Sequence, residues 1–425
     1  MGARREALAV QTQARVPTIE RASSLPRPRF TLAELSGAIA DLGVLLPITI
    51  ALVTINGLNA TSALVGVGLV YLLTAFVYRL PVPVQPLKSL ASTALALGLS
   101  VQVIAAGAWW MAAVLGLIAL TNLARPIAGL FPRAVVRGIQ LGLGALLVVS
   151  AWKMVFGLDA SLTERVTLPG FSLPWTIVVA VGALLLLLLT LWRWPSASGL
   201  VVVLFGVGVA LYVHGVPQLA LSLSLPLLLS PLPRAADFWA ALTLLALPQV
   251  PLTLANAVYA TSDAAQQYFH EQAVRVTPRR LTATMAVGNI LAAATGGVPV
   301  CHGSGGLTAH YRLGARTAGA PLMMGAVFIV LGVLGGRTLL PLLRVIPLAA
   351  LGVLLAYIGA QHMLLARDLR GWREWTPALV VAAVALLTRN LGYGFVAGAT
   401  VYMLIALAAR TARRARADPP AGNAP

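Results

Sequence analysis

The sequence predicts an all-α polytopic membrane protein of fourteen membrane segments, arranged as a seven-plus-seven inverted repeat. Three observations lead there. The 425-residue chain is 59% hydrophobic and 10% charged, with mean hydropathy +0.88, whereas a soluble domain carries about 25% charged residues. The tripeptide Val-Pro-Val occurs twice, at Val82-Pro83-Val84 and Val298-Pro299-Val300, and each copy interrupts an apolar stretch. Basic residues gather in alternate loops, as the positive-inside rule requires.

In chain order, residues 1–29 hold six arginines and no apolar run of signal-peptide length. Residues 1–30 therefore read as a disordered cytoplasmic tail. Apolar runs near spanning length follow at 33–54, 60–79, 103–122, 134–156, 174–192 and 197–214. A polar-poor linker, 215–235, separates them from runs at 236–258, 280–296, 319–340, 345–363, 376–388 and 391–409. The broken segments 85–99 and 301–315 complete seven per half, so the repeats read as 31–214 and 236–410. Residues 411–425, basic and then Pro/Ala-rich, read as a second disordered cytoplasmic tail. The lone Cys301 excludes an intrachain disulfide.

Charge placement tests this count. With the N-terminus inside, only Lys153, Arg165, Arg234, Arg337, Arg344 and Arg389 face out, and Lys88 lies within the membrane. Every other Lys or Arg falls on the inner side; removing one span from the first half would spoil that asymmetry. A net charge of +18 does not indicate nucleic acid here, because the basic residues sit at loops and tails without interleaved aromatics. Seven spans per half make the second half enter from the opposite face, so the two breaks can meet at mid-depth.

Paired Pro/Gly-broken segments at corresponding positions point to a transporter's binding site, because a half-helix start frees N–H groups that the bilayer tolerates only against protein, water or ligand. In the first break Gln85 precedes Pro86, and Lys88 and Ser89 fall in the first turn. A lysine there opposes the helix dipole, and its burial at membrane depth costs about 2.5–3.5 kcal/mol or more. Three readings stay open: Lys88 helps bind an anion, pairs with Asp41, or snorkels to water. The second break reads Cys301-His302-Gly303-Ser304-Gly305-Gly306. Glycines let backbone N–H groups approach an oxyanion, and Ser304 adds a hydroxyl; a Gly-rich packing site is the alternative. His302 is a donor, a proton carrier or a packing residue. Gln249 and Asn256 are polar amid apolar neighbours, as ligand donors or helix–helix glue. No nucleophile–base pair, metal-ligand set or nucleotide motif appears, so an enzyme is not expected, nor is a cofactor or a metal.

Glu34 through Gly43, Pro81-Val82-Pro83-Val84-Gln85-Pro86-Leu87-Lys88-Ser89, Pro248 through Asn256 and Pro299 through Gly306, continuing to Arg316, resemble the molybdate transporter family related to sulfate permeases. The resemblance runs through residues 34–320. It implies the fourteen-span fold of sulfate and uracil permeases, in which a core domain moves against a gate domain. Gln85, Lys88 and Ser89 would form one wall of the substrate site and Gly303, Ser304 and Gly305 the other, with Asp41 and Gln249 flanking. Two positions depart from the family's usual pattern: Ala40 precedes Asp41 where glycine is common, and Ser304 stands where the family has alanine.

The reading that follows is a secondary active importer of a tetrahedral oxyanion, molybdate first and sulfate second, working by alternating access as a proton-coupled symporter. Asp41 and His302 are the candidate proton carriers. The expected setting is the inner (plasma) membrane with both termini cytoplasmic, and relatives imply a homodimer. A nucleobase permease and a passive anion channel are the rivals. The first would want a carboxylate where Gln249 stands, and the second would not accumulate substrate.

Overall fold

The computed structural model describes residues 26–156, 165–168, 171–216, 223–226, 230–335 and 345–417. The first tail through residue 25, residues 418–425, part of the 215–235 linker, and Arg337 and Arg344 lie outside them. The described residues form a mostly helical polytopic membrane protein. Eight helical runs among them are long and apolar enough to cross a bilayer, or nine if one bent pair counts as a single span.

That bent pair is α1 (Leu32–Ile39) and α2 (Leu42–Asn56), which meet at 48°. The expected span 33–54 is therefore interrupted, with Asp41 at the break as the N-cap of α2. Next come α3 (Ala60–Tyr78), the two-residue strand β1 (Gln85–Pro86), α4 (Lys88–Leu97) and α5 (Val101–Thr121). The N-cap side chains of Asn59 and Ser100 accept first-turn N–H groups of α3 and α5, satisfying donors that a helix start otherwise leaves free. Helix α4 ends at Gly98 with φ +58, a left-handed cap that glycine adopts without strain. Then α6 (Arg133–Phe156), a hairpin of β2 (Arg165–Leu168) and β3 (Phe171–Pro174), α7 (Trp175–Arg193) and α8 (Ser198–His214) complete the first half.

The second half opens with α9, a 41-residue helical run over Ala235–Arg275. It contains π-helical stretches at Leu242–Ala246 and Thr253–Ala260, on either side of Pro248 and Pro251. Proline lacks the N–H that an α-helix needs, and π-turns are where such a ladder slips register. Helix α10 (Pro278–Thr295), β4 (Val300–Cys301), α11 (Ser304–Arg312), α12 (Gly319–Gly335), α13 (Leu348–Met363), α14 (Trp372–Thr388) and α15 (Leu391–Ala417) follow. Helix α14 begins four residues before the expected 376, and α15 continues past the expected boundary at 410.

Helices α3, α5, α10 and α12 form one bundle, with α3 on α12 and α5 on α10. A second bundle packs α6 on α13 and α14, α14 on α15, and α7 on α8 and α13. Small residues make the closest crossings. A Cβ on Gly68 would meet Gly325 O at 2.8 Å, and one on Gly144 would meet Gly359 O at 2.6 Å, the small-residue contact by which membrane helices associate. Leu184, Leu185, Leu188 and Leu189 of α7 stay exposed, as do Trp192 and Trp194 at its end, matching a lipid-facing surface with an aromatic belt.

Candidate functional site

The two Val-Pro-Val segments come together. Proline restricts its own φ and disfavours helix in the residue before it, so both segments run extended. β1 and β4 pair antiparallel, with Gln85 opposite Cys301 and Pro86 opposite Val300, and Leu87 N–H donates to Pro299 O at 2.9 Å. Each ladder leads at once into a short helix: Gln85 lies three residues before the start of α4, and Cys301 three before that of α11. Neither helix has a side-chain cap on its N-cap residue, Leu87 or Gly303. The amides of Lys88 and Ser89, and of Ser304 and Gly305, therefore hold the first two helical positions, where no intrahelical acceptor exists.

A cavity of about 240 Å³ opens beside α4, lined by Lys88, Ser89, Ser92, Gln249, Asn256 and Arg389 among others. A smaller pocket adjoins it through Lys88 and touches Asp41, Gln85, Gly305 and Gly306. Lys88 Nζ is buried and has no hydrogen-bond partner among the described residues. No ion pair joins it to Asp41 among the described residues. The Asp41 carboxylate instead accepts from the Gln85 amide and, at 2.8 Å, from Tyr71 OH, and it lies 3.8 Å from His310 Nε2.

The remaining expected residues divide. Ser89 lines the larger cavity. Gln249 does too, but its Oε1 accepts the Leu90 N–H at 2.8 Å and its amide donates to Thr253 at 3.0 Å. It closes the third amide of α4, the first two having no acceptor within the helix. Ser304 lines neither cavity; its hydroxyl donates to Asn256 Oδ1 at 2.6 Å and lies 3.2 Å from His362 Nε2. His302 is fully buried away from both, donating from Nδ1 to Pro83 O at 2.9 Å with Nε2 2.8 Å from Thr284 Oγ1. Gly303 and Gly306 are needed for close packing: a Cβ on Gly303 would strike Gln85 Oε1, and one on Gly306 would meet Gln85 Nε2 at 2.5 Å and Asp41 Oδ1 at 2.8 Å. Gly305 faces Leu147 and the smaller pocket.

Tyr71, His310 and His362 escaped the sequence reading as site-associated residues. Tyr71 sits in an unbroken apolar span, and His310 follows the last glycine of the break by about one turn of α11. Only the fold carries them to Asp41 and Ser304.

Residues 33–147 and 241–361 match the family described as molybdate transporter of the MFS superfamily. Over 410 residues the chain is 30% identical to molybdate transporter 1 of Arabidopsis thaliana, covering 89% of each chain. This chain belongs to the molybdate transporter family. Molybdate transporter 2 of the same plant is 28% identical over 88% of this chain and 87% of its own length, and molybdate transporter 1 of Chlamydomonas reinhardtii is 28% identical over 87% and 90%. Among solved structures, the transmembrane domain of a cyanobacterial bicarbonate transporter, BicA, superposes with TM-score 0.54 at 18% identity, covering 89% of this chain and 98% of that one. Murine Slc26a9, an anion transporter in its inward-facing state, gives 0.55 at 14% identity over 90% and 69%. The family member described here thus has the sulfate-permease type of fold.

Proposed function

We propose that this chain is a secondary active transporter that imports a tetrahedral oxyanion, molybdate first and sulfate second, by alternating access coupled to protons. The observation that carries the reading is Lys88: a buried ammonium with no partner among the described residues, beside first-turn amides of α4 that have no acceptor within the helix. Desolvating a charge without a partner is expensive, and an oxyanion offers it both opposite charge and acceptors. Hydrogen bonds to a charged group contribute about 1.5–3 kcal/mol each. The Lys88 ammonium, the Ser89 hydroxyl and a few first-turn amides therefore suffice for micromolar affinity after association costs. The named relatives are molybdate transporters, which favours molybdate within that chemical class. Gln249 in place of a carboxylate disfavours a nucleobase ligand.

The fourteen-segment inverted repeat belongs to the same proposal, with repeats at 31–214 and 236–410 joined by the 215–235 linker between cytoplasmic tails. Its support is the pairing pattern. The second segment of the first half packs on the fourth of the second half (α3 on α12), and the fourth of the first on the second of the second (α5 on α10). The fifth segments pack together (α6 on α13), and the third segments meet through β1 and β4. A twofold axis in the membrane plane generates these pairs. In this reading the α3–α12 bundle is the core, the α6–α13 bundle is the gate, and the protein works in the inner membrane, as a homodimer like others of its fold.

Uptake of radiolabelled molybdate into proteoliposomes, competed with tungstate, sulfate and uracil, tests the assignment. Tungstate should compete best, uracil not at all, and molybdate should accumulate above its external concentration. Competition by uracil would favour a nucleobase permease, and equilibration without accumulation a channel.

A further inference from the structure

We propose that Asp41 and His310 together form the proton-binding site of this transporter, with the proton held between Asp41 Oδ2 and His310 Nε2. The inference rests on the transport reading above and deepens it by naming where a coupling proton sits.

The hydrogen bonds fix the tautomer of the neutral ring. His310 Nδ1 lies 2.8 Å from Pro81 O. A carbonyl only accepts, so Nδ1 carries the hydrogen and neutral imidazole leaves a lone pair on Nε2. That atom is buried, has no hydrogen-bond partner among the described residues, and faces Asp41 Oδ2 at 3.8 Å. Two acceptors thus confront each other across a gap that no donor fills. Binding one proton at Nε2 turns the ring into an imidazolium, and a closure of about 1 Å makes a charge-assisted bond to the carboxylate.

The surroundings hold the pair in place without supplying that proton. From α3, Tyr71 OH already donates to Asp41 Oδ2, and the Gln85 amide donates to Oδ1. From α1, Glu34 is committed to the amides of Arg316 and Thr317 and to the Thr317 hydroxyl. Leu147 of α6 and Leu355 and Ile358 of α13 are apolar walls of the same pocket. From α4 comes Lys88, with Cys301 of β4 beside it in the adjoining cavity. His302 and His362 have both ring nitrogens within reach of hydroxyl or carbonyl partners and no carboxylate opposite. The carrier role therefore falls to His310 and not to His302.

The site lies against the anion cavity, which links the two ligands. The proton cancels one negative charge in the pocket that Lys88 shares, so a dianion binds Lys88 against less repulsion from Asp41. By linkage, the bound dianion strengthens proton binding by the same factor. In an import cycle the proton would bind at Nε2 together with the anion and leave with it.

Full-length protein in liposomes containing a pH-reporting dye tests this with molybdate as the probe. An inward proton gradient should stimulate wild-type uptake, and uptake should acidify the lumen. In His310→Gln both effects should fall by about tenfold, the scale of such couplings, out of proportion to any loss of molybdate exchange at equal pH on both sides. Asp41→Asn, which removes the facing carboxylate, supplies the same readout if His310→Gln does not fold. Full gradient stimulation in either variant would overturn the proposal. So would wild-type uptake that leaves luminal pH unchanged, a result under which oxyanion transport still stands. Folded wild type that takes up no molybdate would sink the transport reading itself.

Discussion

Lys88 concentrates the energetics of the site in one side chain. Its Nζ has no partner among the described residues, so an anion that reaches it would gain a charge-assisted hydrogen bond without displacing another. Lys88→Ala should weaken molybdate binding by about 10- to 150-fold, the equivalent of about 1.5–3 kcal/mol, read by calorimetry on purified protein. Binding within twofold of wild type would remove Lys88 from the site. Gly306 makes a different demand. Its missing Cβ is where Gln85 and Asp41 pack, so Gly306→Ala should lower stability by about 1–3 kcal/mol, seen as a lower melting temperature in detergent. An unchanged melting temperature would refute the packing argument. Lys88, Gln85 and Asp41 stood out in the sequence because ionisable or amide groups in apolar stretches are costly there and need a reason. Tyr71 and His310 did not, since nothing local marks which distant carboxylate they meet.

The elements were legible where desolvation is local and illegible where partners are remote. Apolar runs located most long helices to within a few residues, although α9 runs on to Arg275 and α15 to Ala417, past the expected ends at 258 and 409, and Val-Pro-Val marked both extended entries. The break between α1 and α2 was not foreseen, because Ala40-Asp41-Leu42 has no proline or tight-turn signal; Gln85 and Tyr71, from other elements, hold Asp41 at the bend. Another remote arrangement joins α6, α9 and the residues after α13. Buried Arg137 makes two bonds to Asp368, at 2.7 and 2.8 Å, and a third to Asp263, which also accepts from Gln140 and Gln267. Breaking a fully buried pair costs about 3–5 kcal/mol. Here the carboxylates are 31% and 36% exposed, so solvent reduces the loss to about 1–3 kcal/mol. Arg137→Ala should melt correspondingly earlier by tryptophan fluorescence, with Asp263→Asn milder because Arg137 keeps Asp368. Wild-type melting of Arg137→Ala would show the network to be energetically idle.

At the scale of the whole molecule, the two-bundle arrangement makes a topological prediction. The fourteen crossings proposed above would place both termini on one side, and by the positive-inside rule the arginines of residues 1–29 would put that side inside. Tags at each end of the full chain should resist protease in right-side-out vesicles and be cut in inverted ones. Tags on opposite faces would require an odd number of crossings and would break the seven-plus-seven repeat. The same arrangement brings Arg389, between α14 and α15, to the cavity that Lys88 lines. Leu143 and Leu146 of α6 line it too, so the α6–α13 bundle reaches the cavity that Lys88 lines from α4.

By itself the sequence determined the membrane class, the approximate spans, the doubled Val-Pro-Val breaks and the family, because hydropathy, proline restriction and motif spacing all act over short stretches of chain. Only the tertiary structure decided which polar groups share a site. It turned Ser304 and His302 inward to other partners and spent the Gln249 carbonyl on Leu90. It also left Lys88 bare and set His310 against Asp41. Burial leaves each polar group to whatever donor or acceptor packing brings within about 3 Å, and packing joins residues far apart in the chain.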